Sequence, residues 1–316
     1  MANSNLHKAK KEKNDEFYTQ TADIEEELKH YKSHFKDKVV YLNCDDPSGD
    51  EIVMKKLLAQ KLITQKQYDE GGMKTSNFLK YFVSKFEDLG LKKLIATHYN
   101  ADPSKPSYAL IIDEDLNGDG KIDEEDFKIF KLKQNGDFRS SESIAYLKEA
   151  DIVVTNPPFS LFREYIDQLM EYDKKFLIIS SFLAVKNKET FPYVKNKKIW
   201  VGMSPRSMNF EQPDKTIKTV NACWLTNLDH PKRHAMFIGH KTYEGNEADY
   251  PKYDNYDAIE IGKAKDIPTD YMGLMGVPIT FFEKINQKQF EIIGNEGNLE
   301  INKKKIYQRF LIKRKI

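Results

Sequence analysis

The run Asp151-Ile-Val-Val-Thr-Asn156-Pro157-Pro158-Phe159 restricts the fold more than any other part of the chain. Four apolar or β-branched residues make a buried-type strand, and two consecutive prolines end it. Neither proline nitrogen can donate to a strand ladder, and each ring fixes φ near −65°. A helical pattern resumes over 161–172. A strand that stops in a stiff loop and passes directly into a helix is a unit of an open α/β sheet. In such sheets ligands bind outside the carboxyl ends of the strands, so position alone makes Asn156, Pro157, Pro158 and Phe159 candidate site residues.

The rest of the first 200 residues has the same alternation. Strand pattern is expected at 38–43, 93–98, 108–112, 127–132, 151–155, 176–181, 198–202 and 220–226. Helical pattern falls at 51–62, from Ser76-Asn77 onward, and at 143–148 and 161–172. Phe78, Phe82 and Phe86 recur at i, i+4 and i+8, which puts them on one helix face. This predicts an α/β fold with a doubly wound, mostly parallel sheet. After about residue 200 the helix period fades and Pro, Gly, Tyr and Asp become frequent. The expected division is therefore a sheet domain over 1–200, with insertions at about 48–75 and 101–132, and a loop-rich region over 201–316.

The Asn-Pro-Pro-Phe loop suits one kind of chemistry. An exocyclic amine on a purine is a poor nucleophile because its lone pair is delocalised into the ring. Two rigid acceptors, one for each N–H, can draw that lone pair out of conjugation. The Asn156 side-chain oxygen and the Pro157 carbonyl fit these roles, since proline leaves a fixed carbonyl with no competing amide hydrogen. Phe159 offers a flat face on which a base turned out of a duplex could stack. As a bare strand-ending turn, the same string would arise by chance in roughly one chain of this length in several hundred. The functional reading therefore leads.

With these residues in hand, the chain resembles the EcoRI-type adenine-specific DNA methyltransferases. The resemblance is carried by Asn14-Asp-Glu-Phe17-Tyr18-Thr19-Gln20, by Val39-Val-Tyr-Leu-Asn43-Cys44-Asp45-Asp46-Pro47 and by Gly136-Asp137-Phe138-Arg139-Ser140. It continues through residues 150–165, Leu225-Thr-Asn-Leu-Asp-His230 and Pro251-Lys-Tyr-Asp-Asn-Tyr-Asp257. It implies a Rossmann-like methyltransferase sheet, S-adenosylmethionine as cofactor, and a C-terminal target-recognition region. Phe17, Tyr18 and Thr19 would line the methionine end of the cofactor. Asn43, Asp45, Asp46 and Pro47 would form the loop beneath it, and Asp137 and Phe138 would lie near its adenine. Asn156 to Phe159 would hold the target adenine. Two departures stand out. Residues 48–75 interrupt a stretch that is short in the family, and no acid stands after the second strand to grip the ribose, where Thr97-His98-Tyr99-Asn100 occur and Asp102 is the available substitute.

Charge bears on the partner. The net charge of +1 conceals residues 113–126, which carry −7 and leave the remainder at +8. Bases cluster at 8–13, 186–198, 232–233 and 303–315, as phosphate contacts would require. Double-stranded DNA is the expected partner, a cognate restriction endonuclease the functional counterpart, and a monomer the expected state. Within the acidic stretch, Asp115, Asn117, Asp119, Lys121, Asp123 and Asp126 fall at the oxygen-ligand positions of a calcium loop, with Gly120 at its sharp turn. Flanking strand pattern makes this loop the cap of a hairpin, with no catalytic role expected. Two cysteines cannot build a disulfide framework, and no long apolar segment or leader pattern is visible, so a cytoplasmic protein without membrane contact is expected. Two other readings stay in play: an N-methyltransferase acting on RNA or a protein amide through the same loop, and a non-catalytic DNA- or calcium-binding module. Methylation at cytosine C5 is disfavoured, because it uses a thiolate, usually in Pro-Cys, and the chain has no such dipeptide.

Overall fold

A computed structural model describes residues 18–45, 49–70, 75–102, 105–211 and 216–315, with Tyr18 known by its backbone alone. Contacts divide the chain into two compact units. One comprises the chain through Phe182 and Gly202–Leu228, the other Leu183–Val201 and Asp229–Ile316. The units interleave, so no single cut at residue 200 separates them. Among the described residues, no helix is long and apolar enough to cross a membrane.

The first unit is built on β2 (Val39–Leu42), β3 (Lys93–Thr97), β4 (Tyr108–Ile112), β5 (Lys128–Lys131), β6 (Ile152–Thr155), β7 (Lys175–Ser181) and β11 (Ala222–Thr226), following the short β1 (Tyr18–Thr19). Their order across the sheet is β5-β4-β3-β2-β6-β7-β11. The centre is parallel, with β2 paired to β3 and β6, and β6 to β7. The flanks are antiparallel: β4 folds back on β3, β5 on β4, and β11 on β7. The expected Rossmann-like α/β sheet is present, with its parallel strands concentrated at the centre. Parallel strands need cover on both faces, and the four central ones are almost entirely buried.

The helix Asn77–Ser84 shows why the core closes as it does. Ser76 caps it by accepting the Phe78 amide at 3.1 Å. Phe78 and Phe82 then point one way and are buried with Phe86, as their spacing requires. Each fully buried phenylalanine contributes roughly 1.5–3 kcal/mol. Phe78 meets Trp224 of β11 edge to face, with ring centroids 5.8 Å apart.

The sequence pattern from 220 to 226 reads as one strand, but the chain bends at Asn221. Residues before the bend form β10 (Ile217–Val220), which pairs with β9 (Met208–Glu211). The bend is held where the Asn221 carbonyl accepts the Phe182 amide at 3.2 Å. β9 also pairs with β1, which makes a separate three-stranded sheet.

The second unit adds short strands to the loop-rich region expected there. After β8 (Trp200–Val201) it contains β12 (Ile259–Glu260), β13 (Leu274–Pro278), β14 (Phe290–Glu296), the pair β15 (Glu300–Ile301) and β16 (Lys304–Lys305), and β17 (Arg309–Arg314). The longer strands form a sheet in the order β12-β13-β17-β14. Gly and Pro inside these strands hide them from a pattern search. Gly276 is required in β13 because a Cβ there would lie 2.0 Å from the Tyr253 hydroxyl. In β14 the register shifts between Ile292 and Gly294, breaking the alternation of side chains.

Candidate functional site

The winding of the sheet determines where a ligand can sit. The chain leaves β2 to build β3 on one side, then returns after the β4–β5 hairpin to lay β6 on the other. The direction reverses between β2 and β6, and open sheets bind ligands at the carboxyl ends of the strands flanking such a switch. Val40 pairs with Ile152 and Tyr41 with Val153. Both strands therefore end at the same edge, one in Asn43-Cys44-Asp45 and the other in Thr155-Asn156-Pro157-Pro158.

Asp45 joins these ends. It is buried, and its two carboxylate oxygens accept the Ser76 hydroxyl at 2.6 Å and the Thr155 hydroxyl at 2.6 Å. A buried charge is costly without such partners, and hydrogen bonds to a charged acceptor are the stronger class. One carboxylate thus ties the end of β2, the residue before Asn156 and the N-cap of the helix Asn77–Ser84. Asp45 and Ser76 are 31 residues apart. The intervening helices Glu51–Ala59 and Gln65–Asp69 leave the site and the chain returns to it, as an insertion would.

The neighbouring helix residue Asn77 donates to the Thr19 carbonyl at 2.7 Å, bringing β1 against the same edge. Thr19 is buried, and its hydroxyl has no hydrogen-bond partner among the described residues. Asn43 is also buried. Its side-chain oxygen accepts the Tyr165 hydroxyl, while its Nδ2 is a buried donor with no partner among the described residues. Buried polar groups in folded proteins are normally satisfied. Thr19 Oγ1 and Asn43 Nδ2 are two such atoms at the switch edge that could take up a polar ligand.

Asp137 and Phe138 arrive from the loop before the helix Ser141–Glu149. Gly136 makes that approach possible: its φ is +75°, and a Cβ would lie 2.2 Å from the His98 carbonyl oxygen. Phe138 packs edge-on against Tyr165, with centroids 5.2 Å apart, and its carbonyl accepts Gln168 Nε2 at 3.1 Å. Arg139 binds Asp137 through Nε at 2.8 Å and Nη2 at 2.8 Å, and reaches Glu164 at 2.9 Å. The guanidinium holds the Asp137 carboxyl below the usual aspartate range. Burial pushes the Tyr165 hydroxyl well above the ordinary tyrosine range and raises the Cys44 thiol, with the neighbouring Asp45 charge adding to the latter. The raised thiol pKa disfavours the thiolate form of Cys44.

Asn156 follows β6 directly and is half-buried, with its side-chain oxygen shielded from solvent. Pro157 is buried. The Pro158 carbonyl accepts the Leu161 amide at 3.0 Å and starts the turn Phe159–Leu161, which leads into the helix Phe162–Glu171. Phe159 is half-buried and packs partly on the core.

The structure thus brings Thr19, Asn43, Asp45, Asp137, Phe138 and Asn156 to Phe159 onto elements that meet at the switch. Phe17, Asp46 and Pro47 lie outside the described residues. Asp102 is exposed and lines a cavity of about 370 Å³ with Asn100, Lys105, Gln134 and Asn135. Ser76, Thr155 and Tyr165 are not among the site residues expected from the sequence. Their hydroxyls are polar members of otherwise apolar faces, which was the available signal.

The acidic loop caps the β4–β5 hairpin, as expected, but gives no support to calcium binding. Its oxygens turn to its own backbone. Asp115 accepts the Gly118 and Gly120 amides, Asn117 that of Asp119, and Asp119 that of Lys121. Asp123 accepts from Glu125, and Asp126 from Leu116 and Asp123. Among the described residues, no group of three or more His, Cys, Asp or Glu side chains is gathered to hold a metal.

Comparison with known proteins places this geometry in context. A family model described as "Adenine-specific methyltransferase EcoRI" matches residues 5–60 and 68–315. The chain is 45% identical to Type II methyltransferase M.EcoRI of Escherichia coli, covering 99% of this chain and 97% of that protein. It is 39% identical to M.MpnI of Mycoplasma pneumoniae, over 93% of this chain and 86% of the relative. It is 34% identical to M.MgeORF184P of Mycoplasma genitalium, over 98% of each. No solved structure gives a significant match.

Proposed function

The chain belongs to the family of EcoRI adenine-specific methyltransferases, and from that membership we propose that it transfers a methyl group from S-adenosylmethionine to the N6 amine of an adenine turned out of duplex DNA. The observation that carries this reading is the Asp45 carboxylate held between Thr155 and Ser76. It fixes Asn156 at the switch edge, next to the elements that carry the unsatisfied Thr19 Oγ1 and Asn43 Nδ2.

Those two groups, with Asp45 and the Asp137–Phe138 turn, are the residues that would hold the cofactor. When bound, S-adenosylmethionine supplies a methyl group on a positively charged sulfur, already activated for attack. The protein's task is to ready the nitrogen. Asn156 Oδ1 and the Pro157 carbonyl accept one amine N–H each, which localises the lone pair on nitrogen. Pro157 and Pro158 keep both acceptors still, so little reorganisation is needed as charge develops. Phe159 gives the base a face to stack on. With the cofactor in place, the amine held by Asn156 and Pro157 would take the methyl group, and the sulfur would leave with the electrons of the broken bond as a neutral thioether. The surplus proton leaves the nitrogen afterwards, so no strong base is required. Asp137 stays ionised at neutral pH beside Arg139.

We assign target recognition to the second unit, where basic clusters from 186–198, 232–233 and 303–315 supply cations for phosphate contacts. We extend the reading to a sequence-specific intracellular methyltransferase paired functionally with an endonuclease, and the similarity to Type II methyltransferases supports it.

The same amine-activating loop could serve RNA or a protein amide, so the substrate class needs a direct test. The purified chain, given cofactor with a radioactive methyl group, is offered duplex DNA, RNA of the same base sequence, and a mixed protein fraction. Label is expected in the duplex alone. Label confined to RNA or protein would overturn the assignment to DNA.

A further inference from the structure

Two cations from distant parts of the chain converge in the second unit, and the charge of a third, Arg233, is felt there. The ammonium groups of Lys197 and Lys315 both donate to one acceptor, the Gln287 carbonyl oxygen, at 3.3 Å and 2.9 Å. Lys197 adopts φ +59°, a left-handed conformation that a lysine enters at a cost. Arg233, stacked over Trp200 at 3.6 Å, is near enough to add to the repulsion on Lys197. Arg233 also reaches Asp229 at 3.2 Å. Glu291 offsets part of the repulsion on Lys197. Contact with the Lys315 ammonium holds the Lys197 pKa below the usual lysine range, with burial second among the causes.

Like charges gathered on one carbonyl are unfavourable in the free protein. Left alone, two long flexible side chains would separate into water. Here the backbone around Lys197 and the end of β17 before Lys315 direct both to the same point, and the cost disappears if an anion occupies it. We infer that Lys197, Lys315 and Arg233 form a clamp for one phosphate of the DNA backbone, set in the unit assigned to target recognition. This inference rests on the DNA reading above, and it supplies a sequence-independent contact that fixes register rather than reading bases.

Equilibrium binding of a fluorescent duplex over a range of salt concentrations tests it. Each neutralised phosphate contributes a slope of about −0.9 to log affinity against log salt. The double variant Lys197→Gln/Lys315→Gln is expected to flatten the slope by about 1 and to bind cofactor normally. Lys66→Gln, an exposed lysine of the insertion, should leave the slope unchanged. Lys315→Glu, which can pair with Lys197 and so keeps the local fold, should weaken duplex binding further. A wild-type slope in the double variant, or equal flattening in Lys66→Gln, would overturn the clamp while leaving the DNA reading intact. A wild-type protein that binds no duplex at any salt concentration would overturn both.

Discussion

Asn156→Ala is expected to lower methyl transfer by about a thousandfold while leaving cofactor affinity close to wild type. The size follows from the role. Removing one preorganised partner of a developing charge typically costs about 10²–10³ in rate, and here the remaining acceptor, the Pro157 carbonyl, cannot localise the lone pair alone. On the proposed mechanism substrate positioning suffers as well, because the lost oxygen would set the plane of the amine. The truncation leaves β6, its register with β2 and the Asp45–Thr155 bond in place, so the fold should persist. Single-turnover kinetics with cofactor bound in advance separates chemistry from binding. A slow chemical step with an unchanged cofactor dissociation constant is the expected result, and full activity in this variant would remove the mechanism.

Asp45→Ala is expected to act on both folding and function. The carboxylate is buried and joins two hydroxyls at 2.6 Å each. Hydrogen bonds to charged groups contribute about 1.5–3 kcal/mol apiece, so losing both should cost about 3–6 kcal/mol. That is a large share of the roughly 5–15 kcal/mol by which a folded chain is normally stable. The same loss frees Thr155 and Ser76 to drift, which loosens Asn156 and the N-terminus of the helix Asn77–Ser84 together. Urea unfolding followed by tryptophan fluorescence suits the measurement, since Trp224 is buried against Phe78 of that helix. A lower midpoint, weaker cofactor binding and lost activity should appear together. Asp45→Asn keeps the size and one acceptor oxygen and should fall between. A stable, cofactor-binding Asp45→Ala protein would show that the carboxylate does not organise the site.

The proposed amine-activating loop could be read from the sequence because it is local. Asn156-Pro157-Pro158-Phe159 is contiguous, its prolines have a steric meaning in any context, and the strand before it is plain. The sheet was legible for the same reason: buried parallel strands read as apolar runs. What escaped depends on contacts across long separations. Nothing in the pattern shows that Ser76 meets Asp45, or that Thr155 is the other partner, because a capping serine and a strand threonine are common for ordinary reasons. The strands of the second unit escaped because they contain Gly276, Pro278 and a register shift near Gly294, each of which disrupts the alternation a reader counts. The calcium expectation relied on spacing alone, and the same Asx residues serve equally well to close a tight loop on its own amides.

The central claim concerns which atom receives the methyl group. Duplex DNA incubated with the purified chain and cofactor bearing a deuterated methyl is digested to nucleosides and weighed by mass spectrometry. Deuterated N6-methyldeoxyadenosine from the wild type, absent with Asn156→Ala, is the predicted result. Deuterium on cytosine, at carbon or nitrogen, or no label in DNA at all, would contradict it.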